Sequence, residues 1–240
     1  RNMRILITNG AIGKIRIVKG SYLQGWLGSK EEDTGLNKQA EWRTDPSRSG
    51  SAGSVGDIGS HTMHLIEFIT GLKLKSVCSD LTTFVPDRKL DDDASIMLRL
   101  NNGAKGSLSI SQIATGEENN FSISIYGEKG SLKWSQENPN YAILSKIGEA
   151  DQTITRGGQI NFDEANASIR IPAGHPEGYL EAFAQIYSDV ADIIQKKGNY
   201  LDLLKLIPNV NDGLHIMKFI KASVDSSNKN SNWVDLSTIK

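Results

Sequence analysis

G-S-V-G-D-I-G-S-H-T-M-H-L-I-E-F-I-T-G, residues 53–71, decides how this chain is read. A glycine-rich approach leads into an apolar-periodic run that predicts a helix. Asp57, His61 and His64 stand at i, i+4 and i+7, positions that share one face at 3.6 residues per turn. Ile58, Leu65, Ile66 and Ile69 fall on another side and would pin the helix to a core. Gly71 is placed as a C′ glycine. A carboxylate and an imidazole on adjacent turns, beside a loop with little side-chain bulk, can form a proton-handling pair facing a ligand. The ordinary alternatives are a capping aspartate and a hydrogen-bonded helix histidine. Asp57, His61 and His64 are also conceivable metal ligands. H-x-x-H without the glutamate of H-E-x-x-H is a weak metal pattern, however, and Glu67 is placed differently.

Outward from this stretch, the flanks change period. Residues 1–9 predict a short helix on Met3, Leu6 and Ile7, and 14–24 a strand. Residues 25–53 read as a long polar loop holding Trp26, Trp42 and Arg43. Such a loop is either functional or locally packed. After the helix, strands are expected over 73–84, 94–100, 106–113, 121–126, 131–135, 141–147 and 152–156. N-N-G at 101–103 and G-E-K-G at 127–130 mark turns. Asp91-Asp92-Asp93 reads as a solvated turn. Consecutive strands on short turns imply an antiparallel sheet with two unlike faces. Helices can cover one face. Val85, Ile113 and Trp134 argue for an apolar second face, and hence for a homodimer through sheet faces.

Residues 157–172 read as a loop with a short strand near 169–171. Pro176 and Glu177 start a helix whose Tyr179, Leu180, Phe183, Ile186, Tyr187, Val190 and Ile194 form a stripe expected to be core. His175 precedes that helix. There it can meet a polar ligand or simply face solvent. A last helix is expected over 208–226, with W-V-D-L at 233–236 as a closing strand.

The totals bound the function. The chain has 240 residues and a formal net charge of −1, enough for a sizeable core and without the basic stripe of a nucleic-acid binder. The one cysteine, Cys78, rules out an internal disulfide framework and reads as a buried strand residue. No apolar run approaches the roughly 20 residues of a membrane span, and no signal peptide is visible, so a cytoplasmic setting is expected. There is no G-x-G-x-x-G after a strand, no P-loop and no G-x-S-x-G elbow.

Five segments in order carry a resemblance: E-W-R-T-D (41–45), G-D-I-G-S-H-T-M-H-L (56–65), G-H-P-E-G-Y-L-E-A-F (174–183), P-x-V-x-D-G-L-H-I-M (208–217) and S-N-W-V-D-L (231–236). Together they resemble the C-terminal domain of the Gfo/Idh/MocA oxidoreductases, over nearly the whole chain. The resemblance implies an α+β fold of the glucose–fructose oxidoreductase-like kind, an open-faced, mostly antiparallel β-sheet with helices packed on one face. It implies that residues 1–10 are the remnant of a linker helix from a Rossmann domain absent here, and that 11–240 are the substrate-binding and oligomerisation domain. NAD or NADP would be bound mainly by that absent domain, with no cofactor-binding residue and no metal ligand in this chain. The family's E-K-P motif, with its working lysine, has no counterpart, so this fragment alone is expected to be inactive.

Carried over by motif, His61 is the general base and Asp57 its partner in moving hydride between a sugar or cyclic polyol and nicotinamide. A histidine, with an ordinary pKa of about 6.5, can take a hydroxyl proton at neutral pH. Arg43, Trp42 and His175 are the expected substrate-side residues, and His64 is expected to pack or hydrogen-bond. The implied assembly is a homodimer or homotetramer through the sheet face, with no nucleic acid and no membrane as partner. The reading from another class is a non-catalytic carbohydrate-binding or oligomerisation scaffold. A metal-dependent hydrolase on the D-x-x-x-H-x-x-H face is more distant.

Overall fold

The structure is a computed structural model and describes residues 1–158, 160 and 162–239. A short helix α1 (Asn2–Thr8) leads into β1 (Ile15–Leu23). Next come a 3-10 turn (Glu31–Thr34), α2 (Lys38–Arg43) and α3 (Pro46–Ser49). A π turn (Val55–Gly59) runs directly into α4 (Ser60–Thr70). The strands β2 (Leu74–Thr82), β3 (Asp93–Leu100), β4 (Lys105–Ser111), β5 (Asn120–Gly127), β6 (Gly130–Ser135), β7 (Tyr141–Lys146) and β8 (Gln152–Thr155) follow. Helices α5 (Asp163–Asn166), α6 (Tyr179–Gln195), α7 (Tyr200–Leu203) and α8 (Val210–Asn228) precede the two-residue β9 (Val234–Asp235).

Among the described residues the strands form one sheet in the order β8-β7-β6-β5-β1-β4-β3-β2-β9. Every pairing is antiparallel except β1 with β4, where Lys19 lies opposite Ser107 and Tyr22 opposite Ile110. The alternation seen in the sequence is the reason the sheet has a wet and a dry side. Ile96, Leu98, Leu108, Ile110, Ile123, Ile125 and Leu132 all point to the dry side and are buried. Helix α4 lies on that side close enough that a Cβ at Gly20 of β1 would overlap Thr62 and stand 3.0 Å from Leu108. Phe219 and Ala222 of α8 close the core over β2, with Ser226 Oγ accepting the Ser79 N–H at 2.9 Å. Met3 and Leu6 of α1 join the same cluster.

Several expectations are corrected. Residues 25–53 are not an irregular loop. Asn37 caps α2 by accepting the Ala40 N–H, and Asp45 caps α3 ahead of Pro46. No strand forms at 169–171, and α5 occupies part of the expected loop; residues 159 and 161 of that loop lie outside the described residues. Asp91 and Asp92 are not a solvated turn but are buried acceptors. Asp92 takes the Phe84 and Val85 N–H groups at 2.9 and 3.0 Å and pairs with Arg88, which organises the 83–92 loop.

Of the three residues used to argue for an apolar outer sheet face, Val85 and Trp134 do not lie there, and Ile113 falls beyond the end of β4. Val85 is buried in the 83–92 loop, and Trp134 packs on the core, edge-on to Phe121 at 5.8 Å. The outer face presents a field of hydroxyls instead, with Ser21, Ser95, Ser107, Ser109, Ser122 and Ser124 in register around Lys19 and Met97. The α6 stripe is not core in this chain. Tyr179, Leu180 and Ile194 are each at least three-quarters exposed, because no described segment lies over them. The helix is tied down at its polar side by the Arg1–Asp189 ion pair.

Candidate functional site

The register brings the working loops to one end of the sheet. The C-terminal ends of β1, β4, β6 and β8 and the starts of β3, β5 and β7 all lie there, since Ser111 pairs with Asp93 and Leu23, Leu23 with Asn120, Ser135 with Ser122, and Thr155 with Tyr141. Over this end runs the π turn, a distortion often found at functional sites.

Asp91 builds the start of that turn. Its carboxylate accepts the Gly53 N–H at 2.6 Å, the Val55 N–H at 2.9 Å and the Ser54 hydroxyl at 2.7 Å, and its carbonyl accepts the Ser54 N–H at 2.9 Å. Gly53 is required here because a Cβ would overlap the Asp91 carbonyl oxygen. These contacts satisfy N–H groups that a helix start otherwise leaves open.

Asp57, in the π turn, faces the bay at the strand ends. Its Oδ2 accepts from Arg43 Nε at 2.8 Å and from Gln112 Nε2 at 2.8 Å. The Arg43 guanidinium lies 4.3 Å from the Trp42 ring centroid and 5.9 Å from that of Trp26, a cation between two indole faces. Trp26 Nε1 donates to Gln24 Oε1 at 3.0 Å, and Gln24 Nε2 donates to Asn119 Oδ1 at 2.8 Å. Tyr22 stacks on Phe121 at 4.6 Å below them. Burial pushes the Tyr22 phenol up, against the pull of hydrogen bonds with Gln136 and Asn119. Tyr22 and Phe121 are themselves buried in the core, so the rim is formed by Asp57, Arg43 and the partly exposed Trp26 and Trp42.

His61 is exposed on the next turn, and no hydrogen bond joins it to Asp57 among the described residues. His64 does not share their surroundings. It is half-buried, burial pushes its imidazole down, and its charged neighbours include Asp212, Glu67 and Lys73. Those groups belong to a second cluster where α4 meets α8. Glu67 accepts from His215 Nε2 at 2.8 Å, Lys73 Nζ at 2.9 Å and the Leu74 N–H at 2.8 Å. Burial pushes the Glu67 carboxyl up, but those three donors outweigh it and hold the group below the usual glutamate range. Among the described residues no three His, Cys, Asp or Glu side chains gather to hold a metal ion.

The structure thus brings Asp57, Arg43 and Trp42 together, with His61 one turn on. His175 lies elsewhere along the same end. Its carbonyl accepts from Arg156, and Arg156 and Asn140 tether its loop through Glu177, beside β7 and β8. β7 is four strands from β4, about 19 Å at ordinary strand spacing. Sequence reasoning missed Gln112 and Asp91. A glutamine at a strand end carries no spacing signal, and the acidic run hid a buried acceptor. A groove of about 680 Å³ lies on the hydroxyl-rich outer face of the sheet, away from Asp57.

The sheet, the motif order and the bay define the class. The family profile described as the GFO/IDH/MocA C-terminal domain matches residues 1–133. The chain belongs to the Gfo/Idh/MocA family. It is 33% identical over 238 residues to the uncharacterized oxidoreductase YfiI of Bacillus subtilis, covering 97% of this chain and 60% of that one. It is 27% identical over 259 residues to levoglucosan dehydrogenase of Pseudarthrobacter phenanthrenivorans, covering 97% and 62%. Its fold is similar to the crystal structure of an inositol dehydrogenase homologue from Azotobacter vinelandii complexed with NADH and myo-inositol, with a TM-score of 0.85, 27% identity, and 98% and 60% of the two chains covered. The chain spans about three-fifths of the length of the relatives it matches. Among the described residues no helix is long and apolar enough to cross a membrane.

Proposed function

We propose that this chain is the substrate side of a nicotinamide-dependent oxidoreductase acting on a secondary alcohol of a sugar or cyclic polyol. The observation that carries the reading is Asp57, held by Arg43 and Gln112 at the polar bay, with His61 exposed on the following turn. Relatives named for levoglucosan and inositol, one complexed with NADH, support the substrate class and the cofactor.

Oxidation of such an alcohol removes a hydride from carbon and a proton from its hydroxyl, leaving a carbonyl. Nicotinamide, when bound, takes the hydride. This chain's own part is the proton: His61 receives it, and Asp57 accepts a hydrogen bond from the reacting region and stabilises the imidazolium. The Arg43 guanidinium and the Trp42 indole form one wall of the bay and orient the ring.

NAD or NADP is held mainly by a nucleotide-binding half preceding residues 1–10. The exposed stripe of α6 is the surface on which that half rests. The hydroxyl-rich outer sheet face joins two copies. The setting is cytoplasmic.

The whole protein, supplied with NAD⁺ and a panel of sugars and cyclic polyols including myo-inositol and levoglucosan, is expected to form NADH from at least one of them. Asp57→Asn should lower that turnover by about 10²-fold or more. Tight polyol binding with no NADH from any panel member would instead favour the scaffold reading.

A further inference from the structure

We infer that Gln112 is a positioning residue that fixes the working orientation of Asp57, an inference that rests on the role proposed for Asp57 above. A carboxylate on a helical turn can rotate about its last bond, so which oxygen faces a ligand depends on what holds the other. In this bay both donors, Gln112 Nε2 and Arg43 Nε, converge on Oδ2 at 2.8 Å each. Oδ1 has no hydrogen bond among the described residues and is the oxygen left for a substrate hydroxyl or an imidazolium.

The two donors are mounted differently. Arg43 sits on the six-residue α2, and its side chain also bonds Gln39. It is partly exposed and faces the bay, where an incoming hydroxyl can compete for it. Gln112 is 2% exposed and directly follows β4. Its N–H donates to the Asp92 carbonyl at 2.9 Å, and its carbonyl accepts the Leu27 N–H at 3.0 Å. Asp92 is itself buried and bonded to the 83–92 loop. The Gln112 amide therefore hangs from the sheet and cannot follow a ligand. Being neutral, it orients the anion without cancelling its charge, which Arg43 does not do. Gln112 keeps Asp57 aimed while Arg43 engages substrate.

The test uses the whole protein, NAD⁺, and whichever of myo-inositol and levoglucosan it oxidises faster. Gln112→Leu should lower kcat by about 10- to 100-fold, as a small misplacement of a reacting group does, with KM changed less than about threefold. Gln112→Glu fits the same space and sets a second carboxylate against Asp57. It should lower kcat at least as far, and it serves if the leucine variant does not fold. Asp57→Asn is measured alongside. If Asp57→Asn is inactive while either Gln112 variant keeps the kcat of the unaltered protein, Gln112 has no positioning role and the proposed function stands. A loss expressed in KM alone likewise overturns the inference. If Asp57→Asn itself turns over normally, the functional reading fails first.

Discussion

Asp91 spends its whole carboxylate on the backbone and hydroxyl at the start of the π turn, so its removal leaves the Gly53 and Val55 N–H groups unpaired in a buried site. Asp91→Ala should cost about 3 kcal/mol, read from urea unfolding; a loss within 0.5 kcal/mol, roughly the surface norm, would contradict this account of the turn. Glu67 carries a pH signature. Its carboxyl is held below the ordinary value of 4.5, so the stability it adds is present above that pH and fades as pH falls through the lower folded value. Glu67→Gln should therefore be destabilised by about 1.5–3 kcal/mol at pH 7, and the gap to the unaltered protein should narrow as pH falls below 4.5. A gap independent of pH would mean the loss is packing and not charge. At this scale the sequence showed Asp57, His61, Arg43 and Trp42 as candidates, because helical spacing and motif order are local. It could not show Gln112 or Asp91, whose roles depend on which chain segments the sheet register brings beside them.

Helix α6 shows where an element can be read but its neighbour cannot. Its amphipathic period is plain in the sequence and its helical span is as expected from Tyr179 onward. Periodicity says that one face wants cover; it does not say from which segment. In this chain Phe183 is 46% and Tyr187 72% exposed. Phe183→Ser with Tyr187→Ser should thus shift the melting temperature of the 240-residue chain by less than about 2 °C, whereas Ile66→Ala, deep in the core, should cost about 2–5 kcal/mol. A large loss from the α6 pair would mean the stripe is covered within this chain. The strands were legible for the opposite reason, since alternation of Ile96, Leu98 and Leu100 against Ser95, Met97 and Arg99 marks both the strand and its dry face. The parallel β1–β4 pairing was not legible, because it joins segments some 90 residues apart with no turn between them to set the register.

For the whole molecule, the proposed reading gives the open sheet face to association and the strand-end bay to chemistry. Ser109→Arg, in the middle of the outer face, should turn an oligomer into a monomer in sedimentation velocity while leaving the melting temperature of the chain nearly unchanged. An unaltered sedimentation coefficient would place the interface elsewhere. The claim on which the rest depends is that this chain handles the proton, and His61→Ala in the whole protein tests it most directly. With NAD⁺ and an oxidised polyol, single-turnover NADH formation should fall by about 10²–10⁴-fold while NADH binding stays intact. A rate equal to that of the unaltered protein would contradict the account.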